Sequence, residues 1–315
     1  MLIFSLFFCI IEHMSKVLVT GGAGFIGSHL VDALVEKGHE VVVLDNLSTG
    51  KRENVNGKAL FHEADICDYE KIEPFFKGVD FVFHLAAKPR VPVSVKDPVS
   101  TTQVNISGTV NVFTAAKEAK VKRVIFASSS SVYGDQEEFP LREDMTPKPK
   151  SPYALQKLVG EKFAKLFTEL YNIPIISLRF FCVYGPRLLF DSDYSLVLGK
   201  FLKFKKQGEP LTIFGDGEQT RGFCYVSDIV KACVLAMSSE KLQGGEVINT
   251  GGDRAVSVNY LADLIGGQKV YLEERKGDVK HTKADISKAK ELLGWSPEVS
   301  FEQGVEKTQE WFSKL

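Results

Sequence analysis

Tyr153 and Lys157 lie four residues apart in the segment Ser-Pro-Tyr-Ala-Leu-Gln-Lys, where Pro152 marks the start of a helix. Both side chains therefore fall on one face of that helix. A tyrosine with a pKa near ~10 is a poor base at neutral pH, but a neighbouring ammonium favours its phenolate. Because this spacing also occurs by chance on solvated helices, a second signal is needed to predict a catalytic pair.

That signal is a run of serines at positions 128–131, at the end of the apolar segment before the helix. Ligands bind at the carboxyl edge of parallel sheets, which is where such a segment ends. Ser129 and Ser130 can donate hydrogen bonds to a reacting hydroxyl group, whereas packing such small polar residues into a core gains little. We therefore predict a catalytic site made of Tyr153, Lys157, Ser129 and Ser130.

A glycine-rich loop follows the first apolar segment and contains Gly21, Gly24 and Gly27. Glycines at this spacing permit a tight turn, let backbone N–H groups approach a pyrophosphate, and allow a helix to pack closely on a strand. The loop joins a predicted strand to a predicted helix. This context favours dinucleotide binding over a purely structural glycine turn.

Asp45 ends the second apolar segment, where a carboxylate binds an adenosine ribose and repels a 2′-phosphate. This predicts NAD as the cofactor, while Lys51 and Arg52 just downstream leave NADP as the alternative. Other residues of the glycine loop and of the strand ends complete the predicted cofactor cleft: Phe25, Ile26, Asn46, Asp65, Ile66, Leu85, Ala86, Ala87 and Phe180.

The elements that must position these residues alternate between short apolar runs and helical stretches from Lys16 onward. Continuously apolar strands indicate a parallel sheet that is covered on both faces. We predict an α/β fold: a Rossmann-type doubly wound parallel sheet with a smaller C-terminal α/β substrate lobe. Residues 14–180 would form the NAD-binding domain and 181–315 mainly the substrate lobe, with about 225–250 returning to the main sheet. Helices are expected near 28–37, 104–119, 153–171 and 301–313.

Composition adds few constraints on partners. The 39 basic and 40 acidic residues leave a formal net charge of −1, so neither nucleic acid nor a membrane surface is expected as a partner. Five scattered cysteines suit a reducing, cytoplasmic location, and the six histidines predict no metal site. The apolar run at 2–11 is too short to span a bilayer. Residues 1–13 are expected to be an upstream extension before a natural start at Met14, with a weak hydrophobic anchor as the alternative.

Seven segments together resemble one family: TGGAGFIGSHL, HLAA, SSSSVYG, SPYALQK, RFFCVYGPR, FGDGEQTR and RKGDVKHTKADISKA. They occur in the order found in extended short-chain dehydrogenases/reductases, and the chain is most similar to the UDP-glucose and UDP-N-acetylglucosamine 4-epimerases. The resemblance implies that Tyr153 is the catalytic base and acid, that Lys157 orients the nicotinamide ribose and tunes Tyr153, and that Ser129 assists. It also implies a cofactor contact from Asn105.

The implied reaction removes a hydride and a proton at carbon 4 of the sugar, turns the keto sugar over, and returns the hydride to its opposite face. The resemblance further implies a homodimer built from the helices near 104–119 and 153–171. The apolar faces of those helices could equally pack within one subunit.

Substrate-binding residues are expected in the second lobe. Guanidinium groups match the oxygens of a pyrophosphate, and by the resemblance Arg221 and Arg275 lie in the family's diphosphate-binding loops. The family pattern also assigns Asp278 to a ribose hydroxyl, and Thr212 and Phe214 to the uracil.

Two positions depart from the family pattern. Cys182 stands where the family usually has an asparagine that binds the diphosphate or the sugar, and a thiol is a much weaker partner. Gly222 stands where an aspartate is usual, which loosens the loop. Either change could reduce affinity or alter the choice of substrate.

Thr282 falls where glucose-restricted relatives have a bulky tyrosine and relatives that accept N-acetylated sugars have a small residue. The resemblance thus implies that the site accepts UDP-N-acetylglucosamine as well as UDP-glucose, because an acetamido group needs the volume of the missing ring.

Other functions remain open. Arg90 or Arg187 could bind a sugar carboxylate, as a UDP-glucuronate 4-epimerase or decarboxylase requires. A catalytically silent NAD- or nucleotide-sugar-binding protein is a further alternative, since a fold does not guarantee its chemistry. A 4,6-dehydratase is disfavoured because serines occupy positions 129–131, where that reaction needs carboxylates.

Overall fold

The structure, a computed structural model, describes residues 14–190, 196–274 and 280–315, so the expectations for residues 1–13 lie outside it. Its strands are β1 (Lys16–Thr20), β2 (Glu40–Asp45), β3 (Leu60–Glu63), β4 (Phe81–His84), β5 (Arg123–Ser129), β6 (Ile175–Phe180), β7 (Val183–Tyr184), β8 (Leu211–Phe214), β9 (Thr220–Arg221), β10 (Cys224–Tyr225), β11 (Val247–Thr250), β12 (Val256–Ser257), β13 (Lys269–Leu272) and β14 (His281–Thr282).

The helices are α1 (Phe25–Glu36), α2 (Tyr69–Ile72), α3 (Val91–Lys96), α4 (Pro98–Thr102), α5 (Thr109–Glu118), α6 (Pro152–Tyr171), α7 (Val197–Gln207), α8 (Val226–Ser238), α9 (Val258–Ile265), α10 (Ser287–Leu293) and α11 (Phe301–Ser313). A π turn over Gln103–Gly108 joins α4 to α5. None of the helices in the described ranges combines the length and the apolar composition that crossing a bilayer requires.

Seven strands form one parallel sheet in the order β11-β6-β5-β4-β1-β2-β3. Along β1, Val17 and Val19 pack into the core on one face of the sheet, while Leu18 packs into the core on the other. This arrangement confirms the predicted doubly wound α/β fold. The strand order reverses between β1 and β4, and such a switch point opens a cleft at the carboxyl ends of the strands.

The smaller sheets lie in the second half of the chain. Strand β8 pairs in parallel with β13, and β9 pairs with both β12 and β14. Strand β7 leaves the end of the main sheet and pairs with β10. Strand β11 is part of the main sheet beside β6, so the chain crosses back after its first excursion.

Candidate active site

A cavity of about 360 Å³ opens at the switch point of the main sheet. Its walls come from the glycine loop, the end of β2, the segment after β4, the end of β5, and the first turns of α6. The predicted residues that line it are Gly21, Gly24, Phe25, Ile26, Gly27, Asp45, Asn46, Ile66, Leu85, Ala86, Ala87, Ser129, Ser130, Tyr153, Lys157, Phe180 and Cys182.

The glycine loop has no room for side chains at two of its positions. Gly21 has a φ of +73°, and a Cβ there would lie 2.7 Å from the backbone nitrogen of Ala86. A Cβ on Gly27 would collide with the Gly21 carbonyl oxygen. Gly24 is the N-cap residue of α1 and has no side chain that could cap the helix. The first N–H groups of α1 are therefore left for a ligand. The loop therefore fits a pyrophosphate at a helix N-terminus.

Asp45 is buried at the end of β2 and anchors the glycine loop. Its Oδ2 accepts a hydrogen bond of 3.0 Å from the Ala23 nitrogen, and its Oδ1 accepts one of 2.8 Å from the Leu47 nitrogen. Burial raises the pKa of this carboxyl, while the two backbone donors lower it. Asp65 is not part of the cavity wall; its Oδ2 accepts a hydrogen bond of 3.0 Å from Asn46 Nδ2.

Helix α6 carries Tyr153 and Lys157, the two residues predicted to form the catalytic pair. The Ser151 hydroxyl caps it by accepting from the Ala154 nitrogen at 3.2 Å, and Pro152 occupies the first turn. Tyr153 and Lys157 follow one turn apart, and both line the cavity. The helix ends at Tyr171, before a residue in the left-handed conformation.

Lys157 is 4% exposed and points at the end of β5. Its Nζ donates a hydrogen bond of 2.7 Å to the carbonyl oxygen of Ala127 and lies 4.9 Å from the centre of the Phe126 ring. Burial lowers the pKa of Lys157 to about 7, against the opposing effect of the Glu161 carboxylate. The side chain can therefore change charge close to neutral pH.

Two groups near Tyr153 favour its phenolate, but burial has the larger effect and raises its pKa overall. Burial raises the pKa of Tyr153, whereas the Arg90 guanidinium and a hydrogen bond with Ser129 lower it. The Lys157 nitrogen lies 6.0 Å from the centre of the Tyr153 ring. From the sequence, Lys157 was expected to tune this tyrosine and Arg90 was considered only as a partner for a sugar carboxylate. The signal for Arg90 was its place in the loop that follows a strand end, and the structure gives it a φ of +88°.

Asn105 stands behind the cavity wall. Its Oδ1 accepts a hydrogen bond of 2.8 Å from the Lys88 nitrogen, and its Nδ2 donates to the Lys88 oxygen and to Gln156 Oε1. Lys88 itself lines the cavity. Asn105 thus fixes the loop after β4 and is not among the cavity-lining residues.

Two of the predicted sugar-binding residues, Arg221 and Thr282, act on Cys182. This residue has a φ of +33°. Burial raises the pKa of its thiol, while Arg221, Arg90 and Thr282 lower it. Within the described residues, the buried Thr282 hydroxyl has no hydrogen-bond partner other than this thiol. Arg221 donates through Nη1 to the carbonyl oxygens of Thr220 and Lys280.

Of the predicted substrate contacts, Cys182 lines the cavity, whereas Arg221 and Thr282 are not among its lining residues. Thr212 and Phe214 lie in β8, outside the residues that line the cavity. The predicted contacts Arg275 and Asp278 lie outside the described residues. Among the residues that the structure does describe, no cluster of potential metal ligands occurs.

A sequence model of the NAD dependent epimerase/dehydratase family matches residues 17–251. The chain belongs to this family. It is an NAD-dependent enzyme, and the glycine loop, the uncapped start of α1 and Asp45 form a cradle that fits such a dinucleotide.

Three solved members of the family share the fold over nearly the whole chain. UDP-glucose 4-epimerase of Thermotoga maritima, with UDP-glucose, is 41% identical at a TM-score of 0.91 and covers 95% of this chain and 99% of its own. UDP-N-acetylglucosamine 4-epimerase of Methanobrevibacter ruminantium, in complex with UDP-N-acetylmuramic acid, is 40% identical at a TM-score of 0.90 and covers 96% of this chain and 99% of its own. UDP-glucuronic acid 4-epimerase of Bacillus cereus, with UDP-glucuronic acid and NAD, is 38% identical at a TM-score of 0.86 and covers 95% of this chain and 99% of its own.

Proposed function

We propose that this enzyme is a UDP-hexose 4-epimerase that interconverts UDP-glucose with UDP-galactose and also acts on the N-acetylated pair. The observation that carries the proposal is the meeting of Tyr153, Ser129 and Lys157 in the cavity that the glycine loop also lines. Similarity to 4-epimerases over 95% of the chain supports the same reaction type.

In this proposal each side chain of the site has a separate task. Tyr153, as a phenolate, accepts the proton of the sugar hydroxyl at carbon 4 and later returns it. Ser129 donates a hydrogen bond to the same oxygen, and Lys157 and Arg90 favour the phenolate by their positive charge. NAD, when bound, takes up and returns the hydride. Because the proton also returns, the reaction causes no net oxidation.

The proposed acceptance of N-acetylated sugars rests on Thr282. Its small side chain lies beside the Cys182 thiol, where a phenol ring would fill the space that an acetamido group needs. Relatives that act on UDP-glucose and on UDP-N-acetylglucosamine are about equally similar to this chain, at 41% and 40% identity.

A second candidate substrate is UDP-glucuronate, because two guanidinium groups act on the region around Cys182. Arg90 and Arg221 both lower the pKa of that thiol, and Arg90 also acts on Tyr153. A sugar carboxylate placed between the reacting tyrosine and these cations would be stabilised by them. The relative from Bacillus cereus with UDP-glucuronic acid is 38% identical.

The deciding experiment incubates the purified enzyme separately with UDP-glucose, UDP-N-acetylglucosamine and UDP-glucuronate, and separates the products by chromatography. The expected result is UDP-galactose and UDP-N-acetylgalactosamine from the first two. Turnover of UDP-glucuronate alone would replace the proposal by the second candidate. No product from any of the three, in protein that contains NAD, would contradict both.

We also propose a homodimer, for which the exposed apolar residues of three neighbouring helices are the support. Helix α6 exposes Leu155, Leu166 and Leu170, α3 exposes Val95, and α4 exposes Val99. Light scattering that gives the monomer mass at all concentrations would contradict a dimer. The division at residue 180 and the location in a reducing compartment stay predictions from the sequence.

A further inference from the structure

The end of β5 and helix α6 are joined by side-chain contacts at successive turns of the helix. Lys157 donates to the carbonyl of Ala127, and one turn later Glu161 Oε1 accepts a hydrogen bond of 2.5 Å from the Ser128 hydroxyl. Ser129, the next residue of the strand, is the hydrogen-bond partner of Tyr153. Glu161 therefore continues the line of α6 residues that begins with the catalytic pair.

A buried ion pair fixes the Glu161 carboxylate. Arg179 on β6 donates from Nε to Oε1 at 2.8 Å and from Nη2 to Oε2 at 2.7 Å, and the two side chains are only 3% and 4% exposed. The guanidinium lies 4.6 Å from the centre of the Tyr133 ring, whose hydroxyl donates to Asn249 Oδ1 at 2.7 Å.

Such a pair needs a reason beyond stability, because removing two charges from water costs about as much as their attraction returns. The reason lies in what Glu161 faces. Replacing a buried pair by apolar residues is often neutral for stability, so a carboxylate kept at this depth is suited to a local electrostatic task.

Lys157 is the group on which this carboxylate acts. Strand β5 contributes the Phe126 ring and the Ala127 carbonyl to the surroundings of Lys157, and β4 contributes His84. Tyr153 and Glu161 belong to the same helix as Lys157, and Arg179 of β6 lies behind Glu161. His84 is neutral, because burial lowers its pKa to about 3. Among these described groups, Glu161 is the carboxylate that opposes the burial of the lysine charge.

We propose that Glu161 is a positioning residue of the reaction: its charge favours the ammonium form of the buried Lys157 side chain, and its bond to Ser128 holds α6 against the end of β5. Arg179 holds the carboxylate in place through two hydrogen bonds. The proposal rests on the epimerase function proposed above, in which the Lys157 charge favours the Tyr153 phenolate.

The test measures the titration of Lys157 directly, by nuclear magnetic resonance of protein with isotope-labelled lysine, in the NAD-containing enzyme without sugar. A Lys157→Met variant assigns the signal. Glu161→Gln removes the charge at nearly constant size, and Glu161→Gln with Arg179→Gln also avoids leaving a buried guanidinium unpaired. Glu161→Asp is the matched control that retains the charge.

In both Gln-containing variants the titration midpoint of Lys157 is expected to fall by roughly one pH unit or more, the scale of a nearby opposite charge. In Glu161→Asp it is expected to stay near the wild-type value. An unchanged midpoint in the double variant, with its fold verified by circular dichroism, would overturn the electrostatic role. Because no sugar is present, this result is independent of which UDP-sugar is the substrate.

A second variant keeps the proposal testable if the charge changes prevent folding. Ser128→Ala removes one hydroxyl and leaves the ion pair intact. It is expected to lower kcat for the UDP-sugar by roughly three- to tenfold, the scale of one hydrogen bond, with KM unchanged. A raised KM at constant kcat would overturn the role of this contact in holding the catalytic helix.

Discussion

The Lys157 ammonium donates a hydrogen bond of 2.7 Å to the carbonyl oxygen of Ala127, so the catalytic helix and the central strand β5 meet at a charged contact. Burial at this contact lowers the pKa of Lys157 in the folded state to about 7. An unfolded chain has lysines with a pKa near ~10.4. Between these two values the unfolded state binds more protons than the folded state.

This difference predicts that stability rises with pH. From about pH 7 to the unfolded value near ~10.4, the free energy of unfolding should increase through Lys157, because the folded state no longer carries a buried charge. Lys157→Met should flatten this part of the curve, measured by urea unfolding across that range. Lys58→Met, at an exposed position, is the control and should keep the wild-type slope. An unchanged slope in Lys157→Met would contradict the prediction.

Tyr153→Phe should keep NAD bound and lower turnover by at least ~100-fold, since it removes the group that takes up the proton. Steady-state kinetics and the nucleotide content of the purified variant check the two parts. The phenyl ring keeps the packing of the tyrosine, so the fold should be unaffected. Activity near the wild-type level would remove Tyr153 from the mechanism.

Asp45→Ala should reduce the NAD content of the purified protein. The wild-type enzyme should bind NAD in preference to NADP. The substitution leaves the buried N–H groups of Ala23 and Leu47 without their acceptor, at a cost of about 1–3 kcal/mol each. Release of the nucleotide and chromatography measure the effect. Asp263→Ala, which breaks only a surface ion pair with Lys269, is the control and should retain NAD. Preferential NADP binding by the wild type would contradict the role of Asp45.

Thr282→Tyr should remove activity on UDP-N-acetylglucosamine and retain activity on UDP-glucose, because the ring would occupy the volume that the acetamido group needs. Relative kcat/KM values for the two sugars are the measurement, and Thr282→Ser should leave their ratio unchanged. The pocket argument is wrong if the wild type epimerises UDP-glucose but not the N-acetylated sugar.

Cys182→Asn should increase the affinity for UDP-glucose by roughly three- to tenfold, since an amide supplies donors and acceptors that a thiol lacks. The backbone at this position has a φ of +33°, and asparagine tolerates positive values better than most residues. Titration calorimetry measures the affinity. Cys182→Ala is the control, and an asparagine variant that binds no better than the alanine variant would contradict the prediction.

Local patterns predicted the elements well where the start and stop signals lie in the sequence itself. The last helix runs over Phe301–Ser313 as predicted, with Ser300 and Gln303 forming a capping box. Helix α1 begins at Phe25 and not near residue 28, because the glycine loop leads directly into it. The helix expected over 104–119 is a π turn followed by α5, a local change that periodicity does not reveal.

Contacts between distant segments were less predictable. Arg90 reaches the environment of Tyr153 from a loop 63 positions earlier in the chain, and only the folded backbone shows that approach. Asn105 was expected to contact the cofactor, but its side chain bonds the backbone of Lys88. The motif position of this residue indicates its neighbourhood and not the direction of its side chain. The site residues taken together stay a prediction, supported by their common cavity.

The collision that a Cβ on Gly27 would make with the Gly21 carbonyl has a consequence for how this enzyme can change. A larger residue at that position would separate α1 from the loop and displace every N–H group that faces the cleft. Gly21 and Gly27 therefore leave no room for a larger side chain, and a shift in cofactor preference has to arise elsewhere. Asn46, Ser48 and Thr49 also line the cavity and already carry side chains, so this segment is the place where laboratory evolution toward another dinucleotide should begin.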